Sequence, residues 1–296
     1  GARSILDEHL TKDGAVLLRG LPASSAEQFS IFWDACVTGK EAAAWHKMQY
    51  EPFGDHRLQQ AGVDLATNTP PTQFLAPHNE MSYNPRPNDV IALYCVQDAE
   101  DGGESIVCWN RDYVKSVPAA LQRFVVEHGG VMYERRYHDA RRERPPLSFV
   151  SWQDRCKLPL EEGRAAAEEY WRRIGFEGRH ILWGEHDELT VRNIERGYVA
   201  DRRTGEDLWF NTISVYSETS RATVMNLSVR MGDGTAIPFS LVEELKRKVL
   251  DHSYALKLRP GDWLVLDNLQ VQHGRTPYVN GAVPRTVLTV YASFPP

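Results

Sequence analysis

The chain has 296 residues, a net charge of −6, and 42% hydrophobic and 25% charged residues. That is enough for a sizeable core in one large domain or two small ones. The acidic balance removes the electrostatic case for a nucleic-acid partner. No apolar run approaches the roughly 20 residues of a membrane helix.

The start, Gly1-Ala2-Arg3-Ser4, leads straight into a polar segment and reads as having no signal peptide. A strand follows at Ala15-Val16-Leu17-Leu18-Arg19. Ser24 and Glu27 form a capping box ahead of a helix whose inner face is Phe29, Phe32, Trp33 and Cys36. Strands are predicted at 90–95 and 104–108. A helix opened by Ser116 and Pro118 carries Leu121, Phe124 and Val125 inward and stops at Gly129-Gly130. A strand at 131–137 and a helix at 161–174 come next, then strands at 208–213 and 222–228. Ser240 and Glu243 open a last helix with Val242, Leu245 and Val249 inward, and strands at 262–267 and 285–292 close the chain.

No linker or repeat divides this order, so residues 1–296 read as one domain. Many short strands separated by Gly, Pro and Asp turns fit a two-sheet jelly roll, mainly β with helices packed outside. Within it, residues of about 110–220 read as an insert covering the substrate. Cys36, Cys95, Cys108 and Cys156 have no paired spacing and read as reduced structural thiols, which fits the cytoplasm. The run from Arg135-Arg136 to Arg141-Arg142-Glu143-Arg144 reads as a solvated basic face.

The chemistry is carried by His78-Asn79-Glu80 and, far downstream, His273. Two imidazoles and a carboxylate hold one face of an octahedral ferrous ion and leave the other face open for an oxidant and a co-substrate. His78 and Glu80 stand at i, i+2, a spacing that aims alternate side chains the same way on extended backbone. His186-Asp187-Glu188 has the same pattern but lies in a polar acidic stretch and reads as a loop. Arg285, twelve residues beyond His273, is a guanidinium suited to a carboxylate. Two other readings stay open on the residues alone. One is a zinc hydrolase with the same three ligands, although no HExxH helix motif is present. The other is a non-catalytic cupin-like regulatory protein that has kept the metal site.

Five ordered motifs resemble the TauD/TfdA family of iron- and 2-oxoglutarate-dependent dioxygenases, most closely its SyrP-like branch. They are His78 through Tyr83, Gly102-Gly103-Glu104-Ser105, Thr204-Gly205-Glu206 with Trp209-Phe210-Asn211, Leu266-Asp267-Asn268 through His273-Gly274-Arg275, and Pro284-Arg285. The resemblance implies a double-stranded β-helix. It implies that His78, Glu80 and His273 bind Fe(II), and that Arg285 binds the distal carboxylate of 2-oxoglutarate, with O2 as oxidant. Ser105 stands where many relatives carry a threonine that touches the co-substrate. Glu80 stands where much of the family has Asp; a carboxylate there fills the place that related halogenases open for chloride. Asn79, Ser82, Trp209, Phe210 and Asn211 are the residues expected to meet substrate. The resemblance implies hydroxylation at an aliphatic carbon of a small amino-acid-type molecule, free or on a peptide carrier protein, in secondary metabolism. Desaturation or cyclisation by the same iron chemistry is the alternative outcome.

Overall fold

Val90–Gln97 supplies eight consecutive residues of which the first six are buried, so both faces of this strand must be covered. The computed structural model describes residues 2–21, 25–37, 46–48, 59–60, 63–67, 69–142, 150–216 and 227–294. In it Val90–Gln97 is an inner strand of the larger sheet, antiparallel to Trp263–Asp267 on one side and to Thr286–Ser293 on the other. The sheet continues with Ala15–Leu18 beyond Trp263–Asp267 and with Val63–Leu65 beyond Thr286–Ser293. Alternation then sorts its side chains. Val90, Ala92, Tyr94, Trp263, Val265, Leu288 and Val290 meet the helices Ala2–Asp13 and Ala26–Val37 outside. Ile91, Leu93, Cys95, Leu264, Leu266 and Val287 point inward to the main core.

A second antiparallel sheet runs in the order Ser253–Leu256, Ser105–Trp109, Val271–Arg275, Leu75–His78. Its Val107 and Val271 join the same core as the inward face of the first sheet. Strand neighbours distant in sequence, in two facing antiparallel sheets, make this the double-stranded β-helix expected from the strand pattern and the motifs.

Between the halves, Val131–Tyr137 pairs with Leu189–Glu195 and Leu227–Met231 in a third sheet. Helices Ala119–Glu127 and Arg164–Arg173 and the hairpin of Tyr198–Ala200 with Asp207–Trp209 accompany it. Ser214 Oγ, in the short helix Ile213–Tyr216, donates to Pro77 O at 3.3 Å. This segment is thereby fixed to the strand that ends at His78.

Several elements differ from the sequence reading. The first residues form a helix, because Leu6 and Leu10 are buried on one side of a polar segment. Ser24 lies outside the described residues; Ser25 Oγ accepts the Gln28 N–H at 3.2 Å at the start of Ala26–Val37. The last helix starts at Phe239 after Pro238 with no side-chain cap, so Ser240 sits in its first turn. Val242, Leu245 and Val249 do face inward. The 208–213 strand stops at Trp209, because Asn211 Oδ1 accepts the Ile213 N–H at 3.1 Å and turns the chain into a helical turn. Residues 222–226 of the next predicted strand lie outside the described residues, and Leu227–Met231 is a strand. All four cysteines are buried thiols, and burial pushes Cys95 and Cys108 up to about 12. Among the described residues no helix is long and apolar enough to cross a membrane.

Trp263 packs edge-on against Phe29 and Phe32, with ring centroids 4.4 and 4.8 Å away, and joins the outer helix to the sheet. Trp263→Ala should cost about 3–5 kcal/mol of stability, read as a lower urea midpoint with an unchanged slope. A midpoint within error of the parent would contradict this packing.

Candidate metal centre

His78 closes the strand Leu75–His78, and its direct partner across the antiparallel pair is His273. Directly opposed residues present their side chains on one face. The two imidazole rings are 4.7 Å apart between centroids. Glu80 follows in the turn after the strand, and its Oε2 stands 3.8 Å from His78 Nε2 and 3.5 Å from His273 Nε2. The three residues are 6%, 4% and 8% exposed for His78, Glu80 and His273. Their donor atoms all lie within 4.8 Å of one another, the one such cluster of three among the described residues.

The separations are too long for direct hydrogen bonds. A divalent ion about 2.0–2.2 Å from each donor would draw the three together. His78 Nδ1 lies 2.9 Å from Ala76 O, a carbonyl that can only accept. The Nδ1 proton is thereby fixed, and the Nε2 lone pair is left facing Glu80. The donor set therefore fits a divalent metal. His186 is exposed in a turn, away from this set, as its polar surroundings imply.

The turn that carries Glu80 is built from buried amides. Asn79 is fully buried and its Nδ2 donates to Asn268 O at 2.6 Å. Asn268 Oδ1 accepts the Glu80 N–H at 2.7 Å, and Asn268 Nδ2 donates to Glu80 O at 2.9 Å. Met81 then takes φ +51° with its side chain in the core.

Two arginines lie against the ring of Tyr278. Arg275 shares the Val271–Arg275 strand with His273, and its register partner is Ser105. Its guanidinium donates to Thr276 O, Thr69 O, Pro70 O and Gln73 O at 2.7–3.2 Å. Arg275 is thus a clamp on the loop ahead of the His78 strand. Arg285 Nη2 donates to Gly103 O at 3.1 Å, while its Nε is buried with no hydrogen-bond partner. A Cβ at Gly103 would sit 3.0 Å from that Nε, and Gly103 has φ +74°. Only glycine lets the guanidinium lie here without strain. Tyr278 lies under both cations, 4.7 Å from the Arg275 carbon and 5.3 Å from that of Arg285. Burial pulls both arginines below their ordinary range, as desolvation of a cation does.

The residues expected to meet substrate are all buried. Trp209 is buried and packs edge-on against Tyr198 at 5.2 Å between centroids. Phe210 is buried beside it. Asn211 Nδ2 donates to Gly197 O at 3.0 Å, so this amide, like that of Asn79, holds main chain. Ser82 is buried, with its hydroxyl beside that of Tyr133. Sequence reasoning missed Thr212, which is fully buried with its hydroxyl beside the same Tyr133 group. It also missed Tyr133, whose hydroxyl accepts the Thr212 N–H at 3.4 Å. Within the presumed solvated basic run, Arg136 is exposed but Arg135 is buried, with its guanidinium 5.7 Å from the centroid of Tyr83. Tyr133, Arg135 and Tyr137 share one face of their strand by alternation, and that period-two pattern was the signal for an inward arginine.

Known proteins resemble the chain over most of its length. A family model described as taurine catabolism dioxygenase TauD, TfdA family, matches residues 2–291. A clavaminate synthase-like protein of Arabidopsis thaliana is 26% identical over 289 residues, covering 96% of this chain and 82% of that protein. The dapdiamide synthesis protein DdaC of Enterobacter agglomerans is 23% identical over 299 residues, covering 96% and 84%. Two solved structures share the fold at a TM-score of 0.52 each. One is PvcB, an iron- and α-ketoglutarate-dependent oxygenase from an isonitrile synthetic pathway, 16% identical with 99% of this chain and 82% of that one covered. PvcB comes from Pseudomonas aeruginosa. The other is an asparagine oxygenase in complex with Fe(II), 2S,3S-3-hydroxyasparagine and succinate, 14% identical with 98% and 78% covered. With the family model spanning nearly its whole length, the chain belongs to the TauD/TfdA family and is an iron- and 2-oxoglutarate-dependent oxygenase.

Proposed function

We propose that His78, Glu80 and His273 are the ligands of the Fe(II), that Arg285 with Ser105 receives 2-oxoglutarate, and that the enzyme hydroxylates an aliphatic carbon of a small amino-acid-type substrate. The convergence of two imidazoles and one carboxylate at a single buried point carries this reading. When bound, the iron and its co-substrate supply the oxidising power: O2 and 2-oxoglutarate become succinate and CO2, and one oxygen atom goes to the substrate carbon.

The protein's part is positioning and exclusion of water. The Ala76 carbonyl holds His78 in one tautomer. Arg285 meets the distal carboxylate with Nε and Nη donors, a charge-assisted pairing strengthened by burial. Ser105, in register with Arg275, offers its hydroxyl to the same molecule. Ser82, beside the Tyr133 hydroxyl, offers the substrate a buried hydroxyl, and Trp209 and Phe210 an apolar wall. Asn79 braces the turn that carries Glu80, and Asn211 the turn after Phe210, through their main-chain bonds. Two relatives support the substrate class: one is named for dapdiamide synthesis and one was solved with 3-hydroxyasparagine. A substrate delivered as a carrier-protein thioester fits the same class. Four buried thiols suit the reducing cytoplasm.

Arg285→Ala should raise the apparent KM for 2-oxoglutarate by about 10²-fold, about 2.7 kcal/mol, with metal affinity little changed. Arg275→Ala should instead lower the melting temperature through its lost carbonyl bonds and leave that KM within about threefold. The reverse pattern would move the anchor to Arg275. Both are read by succinate formation and differential scanning calorimetry.

Succinate and substrate oxidation should be coupled one to one on an amino acid or its carrier thioester, and absent in Glu80→Ala. A site that pairs polar groups rejects analogues lacking them by several orders of magnitude. Alkylsulfonates and aryloxyacetates should therefore fail. Tight coupling on those compounds, with none on any amino-acid form, would overturn the substrate class. No succinate from any compound in the iron-loaded protein would favour a non-catalytic role.

A further inference from the structure

Glu80 lies in a turn rather than on a regular strand, so the ladder that aligns His78 with His273 does not aim its carboxylate. What holds it is the side chain of Asn268. The Glu80 N–H donates to Asn268 Oδ1 at 2.7 Å, and Asn268 Nδ2 donates to Glu80 O at 2.9 Å. One amide thus grips the main chain on both sides of the Glu80 Cα and fixes the direction in which its side chain leaves. The same Nδ2 donates to Asn88 O at 2.8 Å, and the Asn268 N–H donates to Asp89 O at 2.7 Å. Asn79 Nδ2 returns to Asn268 O at 2.6 Å.

Asn268 is itself immobile. It is fully buried in the turn between the strands Trp263–Asp267 and Val271–Arg275. Asp267 Oδ1 accepts the Leu269 N–H at 3.0 Å, and Asn110 Nδ2 donates to Leu269 O at 2.8 Å. The turn leads directly into the strand of His273, so the residue that orients Glu80 is rigidly joined to another of the three donors. Only a short amide supplies this pattern. Aspartate has no N–H for the two carbonyls, and glutamine is one methylene too long. The hold also accounts for Met81, which must take φ +51° as the chain leaves the gripped residue.

We propose that Asn268 is a positioning residue of the metal centre, one whose side chain sets the Glu80 carboxylate toward His78 and His273 before any metal arrives. The inference rests on the proposed Fe(II) ligand set. It assigns Asn268 no contact with metal, co-substrate or substrate.

The test separates positioning from plain stability by comparing Asn268→Asp and Asn268→Ala with Asn110→Ala. Asn110 is an equally buried amide that braces the same turn without touching Glu80. All three variants should lower the melting temperature of the metal-free protein. Mn(II) titration, followed by the electron paramagnetic resonance of the free ion, should show 10–100-fold weaker binding in the Asn268 variants, typical of a lost outer-sphere support. Asn110→Ala should stay within about threefold of the parent. The charge-transfer absorption of the anaerobic Fe(II)–2-oxoglutarate complex should shift in the Asn268 variants alone. Folded Asn268 variants with parental Mn(II) affinity and absorption would overturn the proposal. Should neither fold, hydrogen exchange on the metal-free parent decides: the Glu80 amide should be as protected as core strand amides. A fast-exchanging Glu80 amide, protected only after Mn(II) is added, would also overturn it. Mn(II) affinity that survives Glu80→Ala is a separate result, which removes the ligand assignment itself.

Discussion

A carboxylate buried beside two imidazoles is the constraint on which this structure depends. Taking an ionised carboxylate out of water costs several kcal/mol unless positive charge stands next to it. A divalent cation placed where Glu80 Oε2 and the Nε2 atoms of His78 and His273 face one another would meet that condition. The second sheet satisfies the geometry by pairing Leu75–His78 with Val271–Arg275 so that the histidines are directly opposed. Gly274 allows that pairing: a Cβ there would lie 2.5 Å from Leu75 O. Helices outside and the third sheet between the halves bury the rest of the barrel, and Ser214 ties the latter region to Pro77, the residue before His78.

The arginines show how one residue type takes two tasks. Arg275 spends its donors on four carbonyls and shapes the loop before the His78 strand. Arg285 keeps a buried Nε without a hydrogen-bond partner beside a glycine that makes room for it. Tyr278 offers its ring to both, which eases the cost of two cations in one region. A desolvated guanidinium with donors to spare is suited to a dicarboxylate, and a saturated one is suited to holding backbone.

Much of the centre was legible in the residues because its chemistry needs few residue types in a fixed order. The His78, Glu80 and His273 set stood out for that reason, as did the apolar strands at 90–95 and 262–267. What was hidden follows from physics that local pattern does not carry. Val271–Arg275 reads as Val-Gln-His-Gly-Arg, with no apolar alternation, yet all five residues are buried, and Arg275 spends its donors on the loop carbonyls of Thr69, Pro70 and Gln73. Arg135 was lost in a basic run, since a count of charges ignores which face a strand turns inward. Asn211 looked like a pocket amide, but its bonds to Gly197 and Ile213 make it the turn that ends a strand. The role of Asn268 needed three dimensions, because its partner Glu80 is 188 residues away in sequence.

The most direct test of the account is a crystal structure of the protein grown without oxygen in Mn(II) and 2-oxoglutarate. The account predicts a single ion bound by His78 Nε2, Glu80 and His273 Nε2 at about 2.0–2.3 Å, with the distal carboxylate of 2-oxoglutarate on Arg285. An ion held elsewhere, or a co-substrate whose far carboxylate avoids Arg285, would contradict it.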